Sequence, residues 1–239
     1  MSSKKWVLVF LVTVFVLAAL LAGLNLAADP FGAFGDRLLH WFSYDETNNP
    51  RVAKLSYLEQ HLAYPILQKY GMKATIFSIG VSFGKDHYKD TDYAMTPHFG
   101  AAEAAEMAGS GLISIQSHTY DMHQWPPYED GSAAVRENIL QLPGESEEAY
   151  VEALTADFTR SRAQLEAAAG RPVDVLAYPA GQYSTLAQVT LQNLGVHVTL
   201  STNPGINTVV KGLPQTLTAM LRFGVTEDLS PEALLEMIQ

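Results

Sequence analysis

Cysteine is absent from the chain, which removes disulfide frameworks, thiolate metal sites and cysteine nucleophiles together. Basic residues are scarce: 15 Lys and Arg stand against 25 Asp and Glu, for a net charge of −10. A nucleic-acid partner, which calls for a basic face, is therefore not expected, and neither is an anionic polymer. No internal repeat and no low-complexity tract occurs, so a solenoid is excluded as well. What remains is a 239-residue chain, 48% hydrophobic, with enough apolar content for one sizeable core plus an appendage.

The appendage lies at the N-terminus. Lys4 and Lys5 precede an uncharged apolar run, Trp6–Ala28, in which Thr13 and Asn25 are the clear polar interruptions. A spanning helix needs about 20 apolar residues and a signal-peptide centre only about 7–15, so the run is expected to be an uncleaved transmembrane anchor over residues 1–28. The competing reading is a signal peptide cut after Leu26-Ala27-Ala28. Two lysines before the run keep that end cytoplasmic, so everything after Asp29 is expected outside the cell, membrane-held in one reading and secreted in the other. Residues 29–61 read as a juxtamembrane linker, rich in turn signals such as Asp29-Pro30-Phe31-Gly32 and Asn48-Asn49-Pro50.

Regular patterning then begins. Val52, Leu55, Leu58, Leu62, Ile66 and Leu67 recur at helical spacing up to a glycine stop at Gly71, with Pro65 as an internal complication. Lys73–Gly80 reads as a buried strand, Gly100–Ser110 as a short helix and Leu112–Gln116 as the next strand. Glu147–Ala169 carries Tyr150, Leu154, Phe158 and Leu165 on one side and stops at Gly170. Strands at Val173–Pro179 and Val196–Leu200 flank a helix at Leu186–Leu194, and Ser230-Pro231 opens a last helix. Strands alternating with helices imply βα units and a mainly parallel sheet, an α/β class. His197 alternates with Val196 and Val198, so its ring is expected to face a helix.

Ser114–His123 is the segment richest in chemistry: a β-like run ending in His118-Thr119-Tyr120-Asp121-Met122-His123. Two imidazoles on one strand-to-loop element suit a zinc-type site, because neutral imidazole is a common ligand and a rigid element lowers the entropic cost of assembly. A surface loop with a hydrogen-bonded histidine is the alternative. Trp125, in Trp125-Pro126-Pro127-Tyr128, follows directly and can either stack on a sugar ring or pack the loop.

Four segments together resemble the polysaccharide deacetylase family, the NodB-homology domain of carbohydrate esterase family four, over about residues 62–239. They are Ala63–Phe77, Ser117–His123, Ala177-Tyr178-Pro179-Ala180-Gly181-Gln182-Tyr183-Ser184 and Arg222-Phe223-Gly224-Val225. The five-residue step between the histidines is similar to the branch acting on poly-N-acetylglucosamine. The resemblance implies a distorted (β/α) barrel with its site at the C-terminal strand ends. It further implies His118 and His123 as ligands of a divalent metal, usually zinc, and an N-acetylated polysaccharide as substrate. The Tyr178-Pro179-Ala180-Gly181 loop would line the groove, with the Tyr178 backbone amide as oxyanion donor.

One family feature is missing from its place. The opening strand should end Thr-Phe-Asp-Asp-Gly about ten residues before Ala63-Tyr64-Pro65, supplying the general base and the third metal ligand, but the chain reads Val52–His61 there, without paired carboxylates. Ser43-Tyr44-Asp45-Glu46-Thr47 imitates the motif, which makes Asp45 the candidate catalytic carboxylate. If no first strand exists, the barrel is incomplete and the strand over Ala74–Ile79 lacks a neighbour on one side. Two functions follow: a membrane-anchored metal-dependent N-deacetylase, or a catalytically inactive or truncated relative that binds glycan.

Overall fold

A computed structural model describes residues 63–129, 134–225 and 229–237. The expected membrane helix, the linker and Asp45 lie outside these residues. The first described helix, α1 (Tyr64–Tyr70), ends at Gly71, whose φ of 64° is the left-handed conformation that glycine adopts without penalty. Pro65 falls in the first turn of this described helix; the earlier part of the expected helical run, Val52–Leu62, lies outside the described residues.

Four strands follow in chain order: β1 (Ala74–Ser78), β2 (Ile113–Ser117), β3 (Val175–Ala177) and β4 (Val198–Leu200). All neighbours are parallel and spatial order equals sequence order, as in the wall of a (β/α) barrel. A parallel bridge between Leu200 and Met220 carries the wall one step further. Among the described residues the wall is an open arc, and the far edge of β1 has no strand beside it. Between the strands run α2 (Ala101–Gly109), α3 (Glu147–Ala169) and α4 (Thr185–Asn193), and α5 (Pro231–Met237) closes the described chain.

The strands alternate between two apolar environments, as period-2 geometry requires. Ile76, Ile113 and Ile115 join Tyr64, Leu67, Met107 and Leu165 beneath the helices. Leu176 packs with Leu154, Phe158 and Leu191, while its neighbours Val175 and Ala177 turn to the opposite face with Phe77, Leu200 and Met220. The β2–β3 ladder is short, with Ser117 opposite Leu176 as its register. The Gln116 side chain takes over below it: its Oε1 accepts from the Asp174 and Val175 amides at 3.1 and 3.0 Å. Buried main-chain donors that lack a strand partner are thereby satisfied.

The longest helix shows why the local signals are strong. Ser146 accepts the Ala149 amide at the N-terminus, Glu147 and Glu148 occupy the first turn, and Gly170 ends it with φ 63°. Its buried side, Tyr150, Leu154, Phe158, Ser161 and Leu165, is apolar except for Ser161. The α2 and α3 helices pack on each other and over β2, which sets α3 directly behind the histidine segment.

Candidate active site

His118 follows β2 immediately, at the C-terminal end where the barrel reading places the site. Its amide donates to the Ser78 carbonyl at 2.9 Å, continuing the sheet, and the ring is 6% exposed. His123, 7% exposed, brings its ring to a centroid distance of 5.2 Å at an interplanar angle of 84°. Each ring is held through Nδ1 by a main-chain carbonyl, His118 by Ala177 at 2.7 Å and His123 by Glu137 at 3.0 Å. A carbonyl only accepts, so Nδ1 carries a proton in both rings, and a ring in its neutral form has its lone pair on Nε2. That tautomer is the one a metal-binding histidine with an outer-shell carbonyl adopts.

Burial holds the His118 pKa well below the ordinary imidazole value, and the nearby His123 and Arg222 add to the depression against the opposing bond to Ala177. The ring is therefore neutral at physiological pH. The two imidazoles fit two nitrogen positions of a zinc-type shell. Among the described residues no third His, Asp or Glu joins them, so an anionic ligand is not found there.

The main chain of the segment between the rings is hydrogen-bonded on both sides. Thr119 adopts a φ of 71°, a rare conformation for a β-branched residue. Its amide donates to Ser117 Oγ at 3.0 Å, and Ser117 Oγ in turn meets Ser161 Oγ from α3 at 2.8 Å. Carbonyls of Thr119 and Tyr120 accept from the Gly80 and Val81 amides at 3.1 and 2.9 Å. The approach is so close that a Cβ on Gly80 would sit 2.3 Å from the Tyr120 ring. On the opposite side, Asp157 of α3 accepts the Tyr120 amide at 2.8 Å and the Asp121 amide at 2.7 Å. Burial pushes the Asp157 carboxyl up to about 6, although the two amide bonds act the other way. Asp157 was not legible from spacing: one residue before the core Phe158, it reads as an ordinary helix carboxylate.

The loop after β3 corrects one expectation. The Tyr178 N–H donates to the Leu200 carbonyl at 2.9 Å, so it belongs to the pairing with β4 and is not available as an oxyanion donor. The Tyr178 side chain is fully buried and stacks on Tyr183 at 4.8 Å. Pro179, Ala180 and Gly181 form a tight turn with Ala180 at φ 53° and Gly181 at φ 66°. A Cβ on Gly181 would stand 2.1 Å from Thr202 Oγ1, so only glycine allows the β3 and β4 loops to approach this closely.

Trp125 is half-buried and meets Tyr128 edge-on at 6.5 Å. Tyr93 stacks on Tyr128 at 4.4 Å and is the exposed ring of the group. Beneath them Lys89 pairs with Asp121 at 2.9 Å and with Glu129, which also accepts from Tyr88. Of the other histidines, His98 lies just before α2, its Nδ1 3.0 Å from the Thr96 carbonyl. His197 precedes β4 and is exposed, so its ring faces solvent beside Asp174 and not a helix.

A helix-backed parallel sheet with two adjacent histidines at the C-terminal end of one strand is an architecture of the (β/α) barrel type. The sequence matches the polysaccharide deacetylase family over residues 60–199, more than half of the chain, and the protein belongs to that family. A Bacillus subtilis relative assigned to the same family, YxkH, is 29% identical over 143 residues, covering 60% of this chain and 40% of its own length. The chain thus spans under half of that curated relative. Among solved structures, a de-N-acetylase from Aggregatibacter actinomycetemcomitans superposes with a TM-score of 0.59 at 20% identity, over 75% of this chain and 70% of that one. IcaB from Ammonifex degensii gives 0.56 at 24% identity, over 74% and 67%. The Streptococcus pyogenes deacetylase PplD gives 0.54 at 22%, over 77% and 66%.

Proposed function

We propose that the protein is a metal-dependent hydrolase that removes N-acetyl groups from an N-acetylglucosamine-type polysaccharide at the cell surface. The observation that carries this reading is the pair of buried imidazoles, with ring centroids 5.2 Å apart, whose Nδ1 atoms are both tied to main-chain carbonyls. Family membership supplies the reaction class. A divalent ion, zinc in the first instance, would supply Lewis-acid polarisation of the acetamide carbonyl and a water of lowered pKa. His118 and His123 would hold and orient that ion, and burial keeps the His118 ring in the neutral form that ligation needs. The third ligand and the base would come from carboxylates outside the described residues, with Asp45 the candidate catalytic one. Pro179 and Gly181 shape the wall of the groove, and Trp125 with its tyrosine neighbours borders it as a platform for a sugar ring. The apolar run Trp6–Ala28 tethers the domain to the membrane with the site outside.

A second reading draws on the third-ligand position, which no described residue fills. In it the protein retains the groove and binds glycan without hydrolysing it. Acetate release from N-acetylglucosamine oligomers by the full-length protein separates the two. The hydrolase reading expects chelator-sensitive release that His118→Ala/His123→Ala abolishes and Asp45→Asn reduces. Glycan binding that survives chelation, with no acetate released, would establish the second.

A further inference from the structure

The loop that spaces His118 from His123 is held from both sides, and the two sides are chemically different. On the β1 side its carbonyls meet main-chain amides at Gly80 and Val81. On the α3 side its amides meet one side chain, the Asp157 carboxylate, at 2.8 and 2.7 Å. Main-chain contacts at Gly80 are fixed by the sheet, whereas the α3 contact depends on a single residue. Around it, α3 contributes two further contacts on neighbouring turns. Arg160 lays its guanidinium 3.9 Å from the centre of the Tyr120 ring, and Ser161, one turn on from Asp157, bonds Ser117. A carboxylate accepting two adjacent amides is a charge-assisted arrangement, about twice as strong as a neutral pair. It also offsets the strained Thr119 conformation next to it.

We propose that Asp157 is the positioning residue of the histidine pair: by clamping the Tyr120 and Asp121 amides it sets the loop conformation that aims His118 and His123 at a common point. This rests on the reading of the pair as a metal site. Asp157 touches neither ring, so its action is indirect. Its neutral isostere, Asp157→Asn, has one carbonyl oxygen to offer and turns an amide NH2 towards the second donor. The loop amide facing that NH2 then loses its acceptor.

The test uses the full-length protein and three readouts on wild type, Asp157→Asn, Asp157→Glu and the exposed-face control Glu152→Gln. Hydrogen exchange of residues 119–121 is expected to accelerate about tenfold or more in the Asn variant, with α3 and the sheet retaining protection. The ring Nδ1–H resonances of His118 and His123 in the metal-free protein are expected to shift or broaden. Zinc affinity is expected to fall about 10–100-fold. Asp157→Glu, which keeps two acceptor oxygens, is expected to fall between wild type and Asn, and the control to match wild type. An Asn variant with wild-type loop exchange, or with faster exchange but unchanged ring signals and zinc affinity, overturns the inference. If wild type binds no zinc, the metal reading fails while the ring resonances still decide the positioning role.

Discussion

Asp157 makes the protein's stability depend on pH in a direction unusual for a carboxyl group. Its pKa is raised from 3.8 to about 6 by burial, so the folded state holds the proton more tightly than the unfolded chain does. The stabilisation is complete below the unfolded value of 3.8 and is lost as pH rises through about 6. A shift of about two units corresponds to about 3 kcal/mol across that interval. For a domain of this size the same difference is about 6–12 °C in melting temperature. His98 runs the other way over much of the same range: burial lowers its pKa from 6.5 to about 4, so its contribution is lost on acidification. The whole-protein curve therefore conceals both groups, and subtraction reveals them. Urea unfolding of wild type and Asp157→Asn at half-unit steps from pH 3.5 to 7.5 should give a stability difference that shifts against wild type by about 3 kcal/mol between the acid and neutral ends. A difference flat across the range would refute the claim that this carboxyl is buried and resists ionisation.

Other substitutions test other parts of the account. Gly181→Ala places a Cβ against Thr202 at a left-handed position, and is expected to cost about 2–5 kcal/mol by chemical denaturation. Tyr150→Phe removes the donor to the Ile139 carbonyl, 2.6 Å away and buried, and should cost about 1–3 kcal/mol without altering zinc content. His98→Gln should abolish a loss of about 3 kcal/mol between pH 6.5 and 4, read as the difference from wild type on the same unfolding series.

Elements bounded by chemical punctuation were readable from the sequence. The α3 helix runs over Glu147–Ala169 and stops at Gly170 as its pattern suggests, and its buried positions follow the apolar period. The β2 strand delivers His118 as the run Ser114–His123 suggests. Relations across the chain were not readable. The role of the Tyr178 amide depends on the register of β3 against β4, which pairs Ala177 with Leu200, and no local pattern encodes that. His197 stands one residue before β4, so the strand's alternation does not set the direction of its ring. The Asp157 clamp joins residues 36 and 37 positions apart through main-chain amides, whose donors are the same for any side chain at those positions.

The proposed function requires that His118 and His123 together hold a divalent metal. Its most direct test is the zinc content of the purified full-length protein after loading and removal of excess metal, measured by elemental analysis beside the His118→Ala/His123→Ala variant. The account expects about one zinc per chain in wild type and none in the variant, with both proteins folded. A folded wild-type protein that retains no zinc, or a variant that retains as much as wild type, would contradict it.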